Sequence, residues 1–135
     1  ALAREELEHF QQVFKLIRKQ GLDLQPCDEK DIYVNQILSS LRHGRSERLL
    51  DKLLMSGLIE ARGSERFHLL SEELSDLQLK HFYETLAQRE SGHYKIFMRL
   101  AALYFSPAEI EERLQFMQEV ESEAMVSTPI TYRLH

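Results

Sequence analysis

Residues 46–105 carry two runs of helix-spaced apolar side chains, parted only by a polar link at 71–76 that contains no proline. Few folds accept that pattern. A helix of roughly thirty residues is about 45 Å long, which suits the rod of a helical bundle better than an ordinary globular helix. The first run is expected to start with Ser46 as N-cap and reach about Leu70, with an inner stripe of Leu49, Leu50, Leu53, Gly57, Glu60, Ser64 and Phe67. The second is expected to reach about Phe105, with a stripe of Leu79, Phe82, Leu86, Glu90, His93, Phe97 and Leu100. Steps of three and four place each set on one helix face.

The flanking segments are also helical by pattern. Leu2, Glu6, His9, Val13, Leu16 and Ile17 form a stripe over residues 1–20, and Gly21 stands where a helix C-terminus is expected. Asp28 is the expected cap of a short helix bearing Ile32, Tyr33, Ile37, Leu38 and Leu41, broken at Gly44. Ser106-Pro107-Ala108-Glu109 combines an N-cap, a proline at the first helical position and a capping-box glutamate, so a last helix is predicted to run to about Val126. Residues 127–135 read as an extended tail. No strand pattern occurs. The expectation is an all-α fold in one domain spanning 1–135, and its helical opening without cap or leader suggests a natural protein that begins upstream.

Composition narrows the function classes. A net charge of −5 gives no general case for nucleic-acid binding, although a local basic patch remains compatible with it. Cys27 is the sole cysteine, which excludes an intrachain disulfide and a thiolate zinc cage. No apolar run approaches the ~18 residues of a transmembrane helix, so no membrane role is expected.

The chemistry lies in Glu-x-x-His pairs. On a helix this spacing puts a carboxylate and an imidazole on one face, where both can hold one metal ion. With 17 glutamates and six histidines in 135 residues, about one such pair is expected by chance, and there are three: Glu6/His9, Glu65/His68 and Glu90/His93. The first and third sit on apolar stripes. A carboxylate facing a core is costly unless it is paired or metal-bound, so each is either a ligand or a solvated side chain at a misread face. These two pairs also resemble each other in context, Ala3 to Phe10 matching Ala87 to Tyr94.

Hairpin geometry selects a third carboxylate. With the turn centred near Ser75, Glu60 and Glu90 lie equally far from it and are expected at one height. Glu65 points about 140° away from Glu60 and is expected, with His68, either behind the ligands as a supporting residue or on the outside as a surface pair. Glu6 and His9 would need a further partner helix with a glutamate upstream of residue 1. Gly92 would serve close helix contact, room for substrate or nothing in particular.

Leu50-Asp51-Lys52-Leu53-Leu54, Ile59-Glu60-Ala61-Arg62-Gly63-Ser64-Glu65-Arg66-Phe67, Glu5-Glu6-Leu7-Glu8-His9-Phe10, and Phe82-Tyr83 with Glu90-Ser91-Gly92-His93-Tyr94 together resemble the bacterial tRNA hydroxylase family of the MiaE type. The likeness spans nearly the whole chain. It implies a ferritin-like four-helix bundle with extra helices, here without its N-terminal helix. The implied activity is that of a non-haem di-iron monooxygenase, which uses dioxygen and an electron donor to hydroxylate the isopentenyl group of 2-methylthio-N6-isopentenyladenosine in tRNA. It further implies two iron ions, with Glu6 and Glu90 bridging, His9 and His93 each completing one iron, and Glu60 terminal. Gly63-Ser64 and Asp31-Ile32-Tyr33 depart from the family pattern of Ser-Cys and Ser-Arg-Tyr.

Arg42, Arg45, Arg48 and Lys52, with His43, form the candidate tRNA surface, and Lys15, Arg18 and Lys19 form a second cluster; a mixed-charge solvated face is the alternative. Tyr83 and Tyr94 are expected to support the ligands or simply to pack. A cytoplasmic monomer or small oligomer is expected. Competing readings are a di-iron oxidase or hydroxylase for a small molecule, an iron-storage bundle, and a plain helical domain whose carboxylates pair with arginines.

Overall fold

The structure, a computed structural model, describes residues 2–24 and 31–128. Those residues contain five helices and no strand: α1 (Leu2–Lys19), α2 (Ile32–Ser39), α3 (Arg45–Glu73), α4 (Leu77–Ala102) and α5 (Pro107–Ser127). The all-α expectation holds. The chain falls into two compact units, residues 1–30 and 31–135. No helix of the described residues is long and apolar enough to cross a membrane.

The first unit is α1 and its exit. Gly21 closes the helix at φ 76°, the left-handed region where a side chain is strained. Its N–H donates to the Arg18 carbonyl at 3.0 Å, and the Leu22 N–H donates to Ile17 at 3.2 Å. This pair of bonds is the Schellman closure expected there. The expected Asp28 cap lies outside the described residues, and Asp31 caps α2 instead, its side chain accepting from the Val34 N–H at 3.0 Å.

In the second unit α3 and α4 form the long hairpin, and three boundaries differ from expectation. The N-cap of α3 is Gly44, not Ser46. Glu47 then falls in the first turn, where a carboxylate complements the helix dipole. The helix also outlasts Leu70 and reaches Glu73, with the Ser71 hydroxyl donating back to the His68 carbonyl at 2.7 Å. Asp76 caps α4 by accepting from Gln78 and Leu79 N–H groups at 2.8 and 3.1 Å. Finally, α4 stops at Ala102 rather than Phe105: Tyr104 and Phe105 both donate to the Ala101 carbonyl at 3.0 Å, turning the chain into Ser106. The α5 capping box forms as predicted.

Packing explains why the expected stripes were only half right. Leu54 is fully buried although it lies off the α3 stripe, while Leu49 is exposed. A helix touching one neighbour shows one stripe; α3 touches α4 on one flank and α5 and α2 on another. Leu50 and Leu54 share a core with Ala101 of α4 and Met117 of α5, while Met55 turns to Tyr33, Ile37 and Ala124. The exposed Leu100 likewise yields its place to Ala101. Gly57 makes room for α4 side chains, since a Cβ there would stand 2.7 Å from Met98 Cε and 3.5 Å from Phe97 Cβ. Gly92 has nothing within 4 Å of such a position, which removes close helix contact as its reason.

A buried ion cluster fixes the loop before α3. Asp51, wholly inaccessible, accepts from Arg42 Nη2 at 2.7 Å, the Arg42 N–H at 2.8 Å, and Arg113 Nε and Nη2 at 2.9 and 2.8 Å. Arg113 also donates to the Ser40 carbonyl at 2.9 Å. Burial pushes the Asp51 carboxyl up, but the hydrogen bonds from Arg113 and Arg42 outweigh it and hold the group at about 2.

Candidate metal centre

The α3–α4 seam brings together three of the five expected ligands. Glu60 projects from α3, and Glu90 and His93 project from α4 one helical turn apart. His93 Nδ1 is 3.2 Å from Glu90 Oε2 and 3.8 Å from Glu60 Oε2. One ligand atom from each of the three lies within 4.8 Å of the others. Glu90 and His93 are buried at 7% and 2% exposure, and Glu60 is partly so. Two carboxylates and an imidazole converging in a protected seam fit a hard or borderline divalent metal, iron or manganese better than zinc.

The hairpin register is close to the symmetric expectation, with Phe67 against Tyr83 and Ser64 against Ala87. The helices end at Glu73 and restart at Leu77, so the turn is indeed centred on Ser75. Gly63 also borders the seam, since a Cβ there would lie 3.9 Å from Glu90 Cγ.

In the first unit Glu6 and His9 share one face of α1, with His9 Nδ1 3.6 Å from Glu6 Oε2. The spacing is the same as that of Glu90 and His93. The third pair does not form: Glu65 binds Arg62, while His68 lies 3.7 Å from Glu72, exposed. Both Glu65 and His68 therefore lie on the outside, one of the two places expected for them. Tyr83 packs on Phe67 and Phe82, with ring centroids 5.7 and 5.3 Å away, and Tyr94 lies against Gly57, so both tyrosines serve packing.

The basic candidates divide. Arg45, Arg48 and Lys52 are exposed on neighbouring positions of α3. Arg42 is different, because its guanidinium is engaged by Asp51 and Glu47. In the second cluster Arg18 pairs with Asp23 and Lys15 is exposed.

Sequence reasoning missed a second buried carboxylate system. Glu121 of α5 is 3% exposed and accepts from Arg62 Nε at 2.9 Å, Arg62 Nη2 at 2.6 Å and the Tyr33 hydroxyl at 2.8 Å. Burial pushes its carboxyl up, while the bonds from Arg62 and Tyr33 outweigh that and leave it below the ordinary range. The same bonding and burial push the Tyr33 phenol far above its usual value, so it stays protonated. Met117, Glu121 and Ala124 are the buried residues of α5, spaced by four and three. A carboxylate on an apolar stripe was the signal, the one that had singled out Glu6 and Glu90.

Comparisons with known proteins give the chain's relatives. The family model described as tRNA-(MS[2]IO[6]A)-hydroxylase (MiaE) matches residues 1–135. Two curated relatives are each named tRNA 2-(methylsulfanyl)-N(6)-isopentenyladenosine(37) hydroxylase. The one from Pseudomonas putida is 34% identical over 99% of this chain and 64% of its own length. That from Salmonella typhimurium is 32% identical over 99% of this chain and 48% of its own length. The chain thus spans about half to two thirds of these relatives. A solved structure, protein 43 with aldehyde deformylating oxygenase activity from Synechococcus, superposes with a TM-score of 0.89 at 37% identity, covering 98% of this chain and 64% of that one. The ferritin-like helical fold follows from that match.

Proposed function

Since the chain belongs to the tRNA-(MS[2]IO[6]A)-hydroxylase (MiaE) family, we propose that it is the metal-bearing part of a di-iron monooxygenase that hydroxylates the isopentenyl group of 2-methylthio-N6-isopentenyladenosine at position 37 of tRNA. The observation that carries this is the convergence of Glu60, Glu90 and His93 within 4.8 Å in a buried seam. Their chemistry is that of a carboxylate-rich di-metal site on facing helices.

In this reading Glu60, Glu90 and His93 hold metal, and Glu6 and His9 are metal ligands of the same Glu-x-x-His spacing. Iron, two ions when the site is full, supplies the dioxygen and electron chemistry that no side chain here possesses. The protein's own part is to neutralise the cations with carboxylates, present imidazole nitrogens, and keep bulk water from the seam. Arg45, Arg48 and Lys52 contact tRNA phosphates, while Arg42 holds the loop before α3 in place. The modified base is splayed out of its stack to be reached. Dioxygen and an unidentified electron donor complete the reaction, which takes place where tRNA is modified, in the cytoplasm.

The Synechococcus neighbour favours a second reading, an oxygenase acting on an aldehyde. One experiment separates the two. Deleting the gene should leave tRNA with the unhydroxylated isopentenyl nucleoside, seen by mass spectrometry of digested tRNA. Persisting hydroxylation would remove the tRNA assignment.

A further inference from the structure

We propose that Glu121 is a positioning residue for the metal centre: through Arg62 it sets the rotation of α3 about its own axis, and thereby aims Glu60. The inference rests on the metal reading above.

Arg62 follows Glu60 by two residues, a rotation of about 200°, so the two side chains leave α3 on opposite flanks at nearly the same height. Glu60 enters the seam with α4. Arg62 leaves on the other flank and meets Glu121 of α5 through two hydrogen bonds of 2.9 and 2.6 Å. The planar guanidinium and the carboxylate thus meet in a bidentate fork, which fixes direction as well as distance. Glu121 is itself held by the Tyr33 hydroxyl of α2 at 2.8 Å, and the Arg66 guanidinium lies 5.7 Å from the Tyr33 ring centroid. Donors from α2 and α3 therefore converge on one buried carboxylate of α5.

On its α4 side α3 is held along most of its length, with Phe67 against Tyr83. Ser64 Oγ donates to the Ala87 carbonyl at 2.7 Å, but the contact at Gly57 has no side chain on α3 to interlock. At a side-chain radius of 5–6 Å, a rotation of about 20° displaces a carboxylate by roughly 2 Å. Metal–ligand distances tolerate only about 0.2 Å. The Arg62–Glu121 fork therefore acts on the metal site from the far side of the helix, without touching it.

A merely structural role is distinguished by a matched control. The Asp51–Arg42–Arg113 cluster is also a buried carboxylate binding two helices, but it lies more than two turns of α3 from Glu60. Cobalt(II) binding would be titrated by its visible absorption, alongside thermal unfolding, on the full-length natural protein and on its Glu121→Gln and Asp51→Asn variants. Both substitutions should lower the unfolding temperature. Only Glu121→Gln should weaken cobalt affinity, by about tenfold or more, the usual effect of losing a residue that orients a ligand. Tyr33→Phe, a smaller change, should move affinity in the same direction and serves if Glu121→Gln does not fold. Unchanged affinity in Glu121→Gln, or in Tyr33→Phe where that variant stands in, would overturn the proposal, as would an equal loss in Asp51→Asn. If the natural protein binds no cobalt, the metal reading fails and this inference falls with it.

Discussion

His93 Nδ1 stands 3.8 Å from Glu60 Oε2 across the seam of two long antiparallel helices. Residues 33 positions apart in the chain meet because a short turn at Ser75 folds α4 back along α3. The relationship separates Glu60 from Glu65, whose carboxylate faces out to Arg62.

Glu60→Ala should therefore lower iron occupancy strongly, and Glu65→Ala should leave it near the natural level. Metal analysis of the two purified variants decides between them. Equal losses, or a larger loss in Glu65→Ala, would mean that the register of the hairpin is misread.

Leu54 joins α3 to both α4 and α5 and is fully buried. Leu54→Ala should destabilise the protein by about 2–5 kcal/mol, the range for a truncated core leucine that leaves a cavity. Urea unfolding measures it. Leu49→Ala, at an exposed position of the same helix, should cost far less.

Acid should weaken the Asp51 cluster in a defined window. The folded carboxyl sits at about 2 against an ordinary 3.8, so its contribution is fully present above the higher value and is lost as pH falls towards the lower one. The expected size is about 2 kcal/mol. Asp51→Asn should flatten the stability curve of the natural protein between about pH 4 and 2. Parallel curves for the two proteins would show that the cluster carries no such linkage.

Replacing Arg45, Arg48 and Lys52 together by alanine should weaken tRNA binding and its salt dependence, with iron content unchanged. Each cation that no longer neutralises a phosphate lowers the slope of log affinity against log salt by up to about 0.9. Arg42→Ala should act differently, chiefly on stability, because it uncovers one side of buried Asp51. A variant with all three cations removed that binds tRNA as before would exclude this surface.

Much of the fold was legible because local signals and packing agree where the chain is simplest. The Ser106 capping box, the Gly21 closure and the turn at Ser75 each follow from a few adjacent residues. The Glu90–His93 pair was legible because a carboxylate on an apolar stripe demands a partner. Leu54 and Asp51 were not, since a single-stripe reading of α3 overlooks a helix buried on two flanks. Glu121 went unread for a related reason: its partners Arg62 and Tyr33 lie 59 and 88 positions away, beyond any local spacing rule. The helix starts at Asp31 and Gly44 show a further limit, since a polar residue in the right region need not be the one that caps.

Iron content bears most directly on whether the Glu60–Glu90–His93 seam is part of a metal centre. Iron should be counted in full-length protein purified without chelator and reconstituted with ferrous iron under anaerobic conditions. About two ions per chain are expected, as in carboxylate-bridged bundles of this type, falling sharply in Glu90→Ala and His93→Ala. Natural protein that holds no iron, or variants that hold as much as the natural protein, would contradict a metal role for the seam.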